Sequence, residues 1–306
     1  MTNRRRNRIR LLCACMLCGL VCCACSRQTA VRLESVGVRP KVMTEALFNT
    51  APGLSGKRTE FAEVDTSNVS EGYVMVRGED AAGRKLKAQV KGPASTMTYP
   101  IDNGAWAALP LTEGDGNYRV TVLVNVADDR YAVLVSADAE VALRDAFAPF
   151  LHPNRYVNWQ DAPETVKKAA ELTRGANDTL TCVARVYDFV LGELRYDEAL
   201  ASNVQSGYVP DLDAALRNKK GICFDYAALM AGMLRSVGIP TKLIMGYAGT
   251  QYHAWIGVWT EEAGWLENVV YFDGKSWRRM DPTFADAGVP ESFLNDDANY
   301  TEKYAF

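Results

Sequence analysis

The 306-residue chain is 48% apolar and 23% charged, a balance that supports a packed core and excludes an intrinsically disordered protein. Its net charge is −3, but the first 24 residues hold five arginines and no acid, so the remainder carries 29 basic against 37 acidic side chains, a net of −8. A mildly acidic body has no electrostatic footprint for nucleic acid, and its length suggests two domains.

Arg4, Arg5, Arg6, Arg8 and Arg10 form a positive region ahead of the apolar run Leu11–Ala24. That run is too short to cross a bilayer comfortably and reads as an export signal. It ends in CCAC, with the small Ala24 directly before Cys25. This ending resembles a bacterial lipoprotein signal, which implies lipid on Cys25 as the first mature residue. The position three before it is Cys22, where that family usually has leucine, so Cys22 and Cys23 are alternative acceptors. Plain secretion with cleavage near the same place is the competing outcome. The expectation is a signal at 1–24 and a tether at 25–60, with the body held at the cell surface through an N-terminal lipid.

Six of the eight cysteines lie at or before Cys25, leaving Cys182 and Cys223 in the body. Two thiols make no disulfide framework, although an exported protein can carry one.

After the polar tether, GYVMVRG, RKLKAQVKG, TMTYPID, NYRVTVLVNVA and RYAVLVSADAEVAL are short β-branched and aromatic runs. Their regular spacing predicts an antiparallel, sandwich-like all-β domain over 61–147. Asp102-Asn103-Gly104 and Asp115-Gly116-Asn117 read as hairpin turns. No titratable cluster gathers here, so the domain reads as a spacer or binding module. APFLHPNRYVNW then forms a strap, in which His152 reads as a packed interface residue.

Residues 148–306 form the second domain. APETVKKAAELTRG has helix-start and helix-stop residues at its two ends, and Asn177 or Asp178 caps a helix through TLTCVARVYDFVLGEL. Leu180, Val183, Tyr187, Val190 and Leu194 recur there at helical spacing, and Cys182 reads as core packing. A loop, SNVQSGYVPD, leads to a short helix in DLDAALRNKKG. The next helix opens at Cys223 and runs to about Val237, stopped by Gly238 and Pro240. It is apolar on most sides, which predicts a buried central helix. TKLIMGYA, YHAWIGVWT, GWLENVVYFDG and SWRRMDP follow as antiparallel strands, with turns at GTQ and Asp273-Gly274-Lys275.

A helix start favours thiolate at Cys223 through its unpaired N–H groups and partial positive charge, and Gly221 permits close backbone approach. A thiolate needs a proton acceptor beside it. His253 lies 30 residues later on a strand, where alternation sets His253, Trp255 and Trp259 on one face and Tyr252, Ala254, Ile256 and Val258 on the other. Asp281 follows 28 residues further, at a strand end before Pro282, where a carboxylate can orient an imidazole. Asp225 reads as a first-turn carboxylate complementing the helix dipole. Trp255 and Trp259 read as packing. A zinc site from the trio lacks a fourth protein ligand, and no metal or other cofactor is expected.

GICFDYA, YHAW and MDPTF together resemble the transglutaminase-like superfamily over roughly Leu180 to Ala285. The resemblance implies an α+β, papain-like catalytic domain with a central helix packed on an antiparallel sheet. It also implies Cys223 as nucleophile, His253 as general base and then acid, and Asp281 as orienting partner. The chemistry it implies is acyl transfer through a thioester on a protein or peptide, cell-wall peptide included, with hydrolysis favoured over transfer to an amine. Gln205 and Tyr208 are open candidates for a second oxyanion donor. The alternative is a non-catalytic surface scaffold built on the same fold.

Overall fold

Alternation decides the first half of the fold. In β4 (Leu86–Lys91) Leu86, Ala88 and Val90 point inward while Lys87, Gln89 and Lys91 face outward, and in β5 (Thr96–Ile101) Met97, Tyr99 and Ile101 are the inward set. The computed structural model describes residues 47–261, 264–266, 271–272, 277–278 and 297–306. Within them two antiparallel four-stranded sheets bury these inward residues face to face. One sheet runs β1 (Gly56–Arg58), β2 (Ala62–Asp65), β3 (Tyr73–Gly78), β6 (Ala107–Pro110), and the other runs β5, β4, β7 (Gly116–Ala127), β8 (Arg130–Val141). Val64, Val76 and Leu109 meet Ala88, Tyr99, Val120 and Val122 in one continuous core, the expected β domain. Its first strand begins at Gly56, inside the stretch read as tether.

The two expected hairpin turns are corners instead. β5 and β6 flank Asp102-Asn103-Gly104 but belong to different sheets, as do β6 and β7 on either side of Asp115. Asn103 fixes the first corner by accepting from the Asp80 amide at 2.8 Å and donating to the Asp80 carbonyl at 3.0 Å. The hairpins fall at Gly92–Ser95 and at Asp128-Asp129, where Asp128 takes a φ of 45°.

The second half is helices on a sheet. α1 (Pro163–Thr173) starts on its proline, and α2 (Thr179–Glu193) is capped by Asp178, whose carboxylate accepts from the Thr181 amide at 2.7 Å. β9 (Arg195–Tyr196) and α3 (Glu198–Asn203) fill the stretch before the expected loop, which α3 enters only at Ser202 and Asn203. α4 (Leu212–Asn218) is capped by Asp211 and ends on a left-handed Lys219. β10 (Lys220–Gly221) pairs in parallel with β9 and so ties the approach to the next helix to the end of α2.

That helix, α5 (Cys223–Ser236), is buried at every position from Phe224 onward, as a helix apolar on all sides must be. Each fully buried leucine or methionine in it contributes roughly 1.5–3 kcal/mol. It packs on β11 (Thr241–Ala248) and β12 (Gln251–Thr260), the centre of an antiparallel sheet ordered β13 (Gly264–Leu266), β12, β11, β16 (Tyr300–Ala305). β14 (Tyr271–Phe272) and β15 (Trp277–Arg278) form a separate antiparallel pair. All the described residues lie within Ser35–Phe306, which packs as one unit.

The strap joins the halves. Phe150, His152, Tyr156, Val157 and Trp159 are all buried, so His152 is the packed interface residue its surroundings in sequence predict. Its Nδ1 pairs with Asn49 Oδ1 at 3.0 Å, and Nε2 has no hydrogen-bond partner among the described residues. Burial first, then the charge of Arg235, pushes its pKa down to about 4, so the ring is neutral. Arg235 is itself completely buried near the far end of α5. Its guanidinium donates to the carbonyls of Thr241 (2.8 Å), His152 (3.1 Å) and Phe306 (2.5 Å).

Candidate active site

The start of α5 has an unusual cap. Ile222 stands at the capping position and offers no side-chain acceptor, so Asp225 reaches back and accepts from the Ile222 amide at 2.9 Å. The other oxygen of Asp225 accepts from the Tyr208 hydroxyl at 2.7 Å. Gly221 makes room for this, since a Cβ there would stand 2.5 Å from the Asp225 Cβ. Asp225 is thus a structural first-turn carboxylate, and it also pins the loop that carries Tyr208 against the helix start. Burial pushes its carboxyl above the usual range, while the bonds from Tyr208 and Ile222 pull it back.

Cys223 is half-buried at the mouth of this turn. It opens into a cavity of about 650 Å³ that is also lined by His253. β12 supplies that histidine opposite Gly246 of β11, buried to 2% exposure and stacked on Trp255 with ring centroids 6.4 Å apart. Ala254, Ile256 and Val258 join the core shared with α5, as alternation predicts, whereas Tyr252, expected on the same face, is exposed and borders the cavity. Asp281 lies outside the described residues, as do Cys25 and the whole segment read from sequence as an export signal.

Both candidate oxyanion donors line the cavity: the Tyr208 hydroxyl donates to Asp225, and Gln205 Nε2 gives one of its two hydrogens to the Asn203 carbonyl at 2.9 Å. Trp255 packs on Tyr300 and Trp259 on Phe147, and neither borders the cavity. Cys182 is fully buried in α2, and burial pushes its thiol up to about 12.

Sequence reasoning passed over the aromatic lining. Tyr196 and Tyr252 both border the cavity, and burial pushes both phenols up, helped at Tyr196 by the nearby Cys223 and at Tyr252 by Tyr304 and Tyr247 ahead of Cys223. Tyr252 is visible in YHAW, but its 48% exposure beside a buried histidine follows only from where β12 meets solvent. Tyr156 stacks edge-on against Phe224 and Phe306 at 5.2 and 4.9 Å. Lys87, Thr98 and Pro100 of the β domain form a further wall, for which no local signal exists.

Residues 166–282 match the core of the transglutaminase-like superfamily, a stretch that contains Cys223, His253 and Asp281. A protein-glutamine gamma-glutamyltransferase of Pseudomonas aeruginosa is 34% identical over 68 residues, covering 18% of this chain and 10% of its own. The Bacillus subtilis protein YebA is 22% identical over 207 residues, covering 59% of this chain and 27% of its own. The chain therefore spans only a minor part of either relative. Among solved structures, red sea bream transglutaminase aligns over 76% of this chain and 49% of its own, at 15% identity and a TM-score of 0.29.

Proposed function

Because residues 166–282 carry a transglutaminase-like domain, we propose that this chain is an exported, lipid-anchored cysteine enzyme that hydrolyses amide bonds of proteins or peptides through a thioester on Cys223. The observation that carries the reading is the shared cavity: a half-buried thiol at a helix start and a buried imidazole from β12 open into the same space. His253 takes the thiol proton, and the sulfur attacks the amide carbonyl carbon. The C–N bond then breaks as His253 returns the proton to the leaving amine. Water attacks the thioester, His253 accepts its proton, and the C–S bond breaks to release acid and thiol. The Cys223 amide is the first oxyanion donor, and Asp281 orients the imidazole and stabilises its cation.

The test is incubation of the purified protein with a glutamine peptide and a labelled amine. Free acid without incorporated label is the expected result, and label in the peptide redirects the reading to transfer. Product formation equal in wild type and Cys223→Ala, or absent across amide substrates, overturns the enzyme. For the anchor, Cys25→Ser is expected to lose both incorporated fatty acid and membrane association. A protein that keeps both is lipidated elsewhere.

A further inference from the structure

The outer face of the β domain does not face open solvent throughout. Lys87 on β4 lies opposite Pro100 on β5, and both border the cavity that holds Cys223, together with Thr96 and Thr98. This wall is held in place from the catalytic side. Arg155 of the strap donates to the Pro100 carbonyl at 2.8 Å and grips Asp102 with two further bonds of 2.7 and 2.9 Å. At Gly207 of the loop pinned by Asp225, the Cβ position stands 3.6 Å from the Pro100 Cβ, so that loop lies directly on β5.

The charge of the lining is one-sided. Among the described residues that border the cavity there is no carboxylate and a single permanent cation, Lys87. Its ammonium rests 4.4 Å from the centroid of the Tyr131 ring on β8, a neutral partner outside the cavity lining, and this contact restrains the side chain. The rest of the wall is aromatic or neutral. A cavity of this size accommodates several residues of a peptide, and a substrate carboxylate complements the one permanent charge that the described residues bring to its lining.

We infer that the β domain is the selecting wall of the site and that Lys87 favours acyl donors with a carboxylate side chain near the attacked bond, against those with a cationic one. This rests on the reading of Cys223 as the nucleophile that meets a peptide in this cavity. The strap and loop contacts make the selection a property of the two domains together.

The experiment uses three peptidyl chloromethyl ketones of equal length that differ only in a glutamate, glutamine or lysine. The Cys223 sulfur displaces chloride from each, and intact mass follows the rate. In the full-length protein at low salt the rates are expected to fall from glutamate to glutamine to lysine, by about two- to fivefold per step. The spread narrows in about 0.5 M salt. Lys87→Gln brings the glutamate-to-glutamine ratio close to one, Lys87→Arg keeps it, and Lys91→Gln, on the same strand but outside the cavity, keeps it too. Equal rates in wild type, or a ratio that survives Lys87→Gln, overturn the inference while labelling at Cys223 still stands. Failure of every peptide to label Cys223 while iodoacetamide does so overturns the substrate reading itself.

Discussion

Two cysteines on two helices show how position decides what a side chain can do. Cys182 sits in the first turns of α2, fully buried, with its thiol pushed up to about 12 by the apolar surroundings. Cys223 opens α5, half-exposed on a cavity, behind a cap that Asp225 completes without covering the sulfur. The residue type is the same. One environment suppresses the thiolate, and the other offers it a helix start, a histidine and room for a partner.

The comparison breaks most visibly in turnover. Cys223→Ala and His253→Ala are each expected to lower amide hydrolysis by at least about 10³-fold, whereas Cys182→Ala retains it within about threefold. Asp281→Asn should lower it by about 10²- to 10⁴-fold if that carboxylate orients the imidazole. Steady-state kinetics on one substrate checks all four variants. Chemical labelling sharpens the same contrast: at pH 8 a thiol of pKa about 12 is ionised to only about one part in 10⁴. Mass spectrometry after iodoacetamide should find the label on Cys223 in the folded protein and on Cys182 only after denaturation.

Smaller effects probe the supports. Asp225→Ala removes the acceptor for both the Ile222 amide and the Tyr208 hydroxyl. It is expected to cost about 3 kcal/mol in urea denaturation and to loosen the Tyr208 loop, with slower labelling by the peptide probes. A pH dependence should come from His152. Its folded pKa of about 4 lies below the ordinary 6.5, so the unfolded chain binds the proton more readily. Stability is therefore full above about pH 6.5 and falls as pH drops toward 4, by about 2 kcal/mol at pH 5. His152→Leu should flatten that part of the stability–pH curve, and an unchanged slope would assign it to other groups.

What was legible in the sequence is what is local. Sixteen residues between Gly221 and the Gly238-Ile239-Pro240 stop are apolar at nearly every position, so α5 and its start at Cys223 are readable directly. YHAWIGVWT alternates cleanly enough to separate His253 from Ala254 and Ile256. Sheet membership was not legible at Asp102-Asn103-Gly104, because a corner between sheets uses the same turn residues as a hairpin. β16 pairs with β11 across more than fifty residues of chain, a distance at which YTEKYA carries no signal of its partner. The alternation of β4 set Lys87 on the outer face, but nothing in one strand tells that another domain closes over it. The direction of the Tyr208 hydroxyl likewise depends on a carboxylate seventeen residues away.

Arg235 bears on how this molecule can be divided. The matched stretch, 166–282, includes the arginine and its acceptor at Thr241, but not the carbonyls of His152 and Phe306. A fragment trimmed to that stretch would strand a buried cation with most of its solvation removed, a defect that costs several kcal/mol. Recombinant work on that 166–282 fragment alone should therefore yield insoluble or molten material, and the intact body should melt in one transition. The guanidinium serves as a keystone, and the thiol at the opposite end of its helix inherits the rigidity.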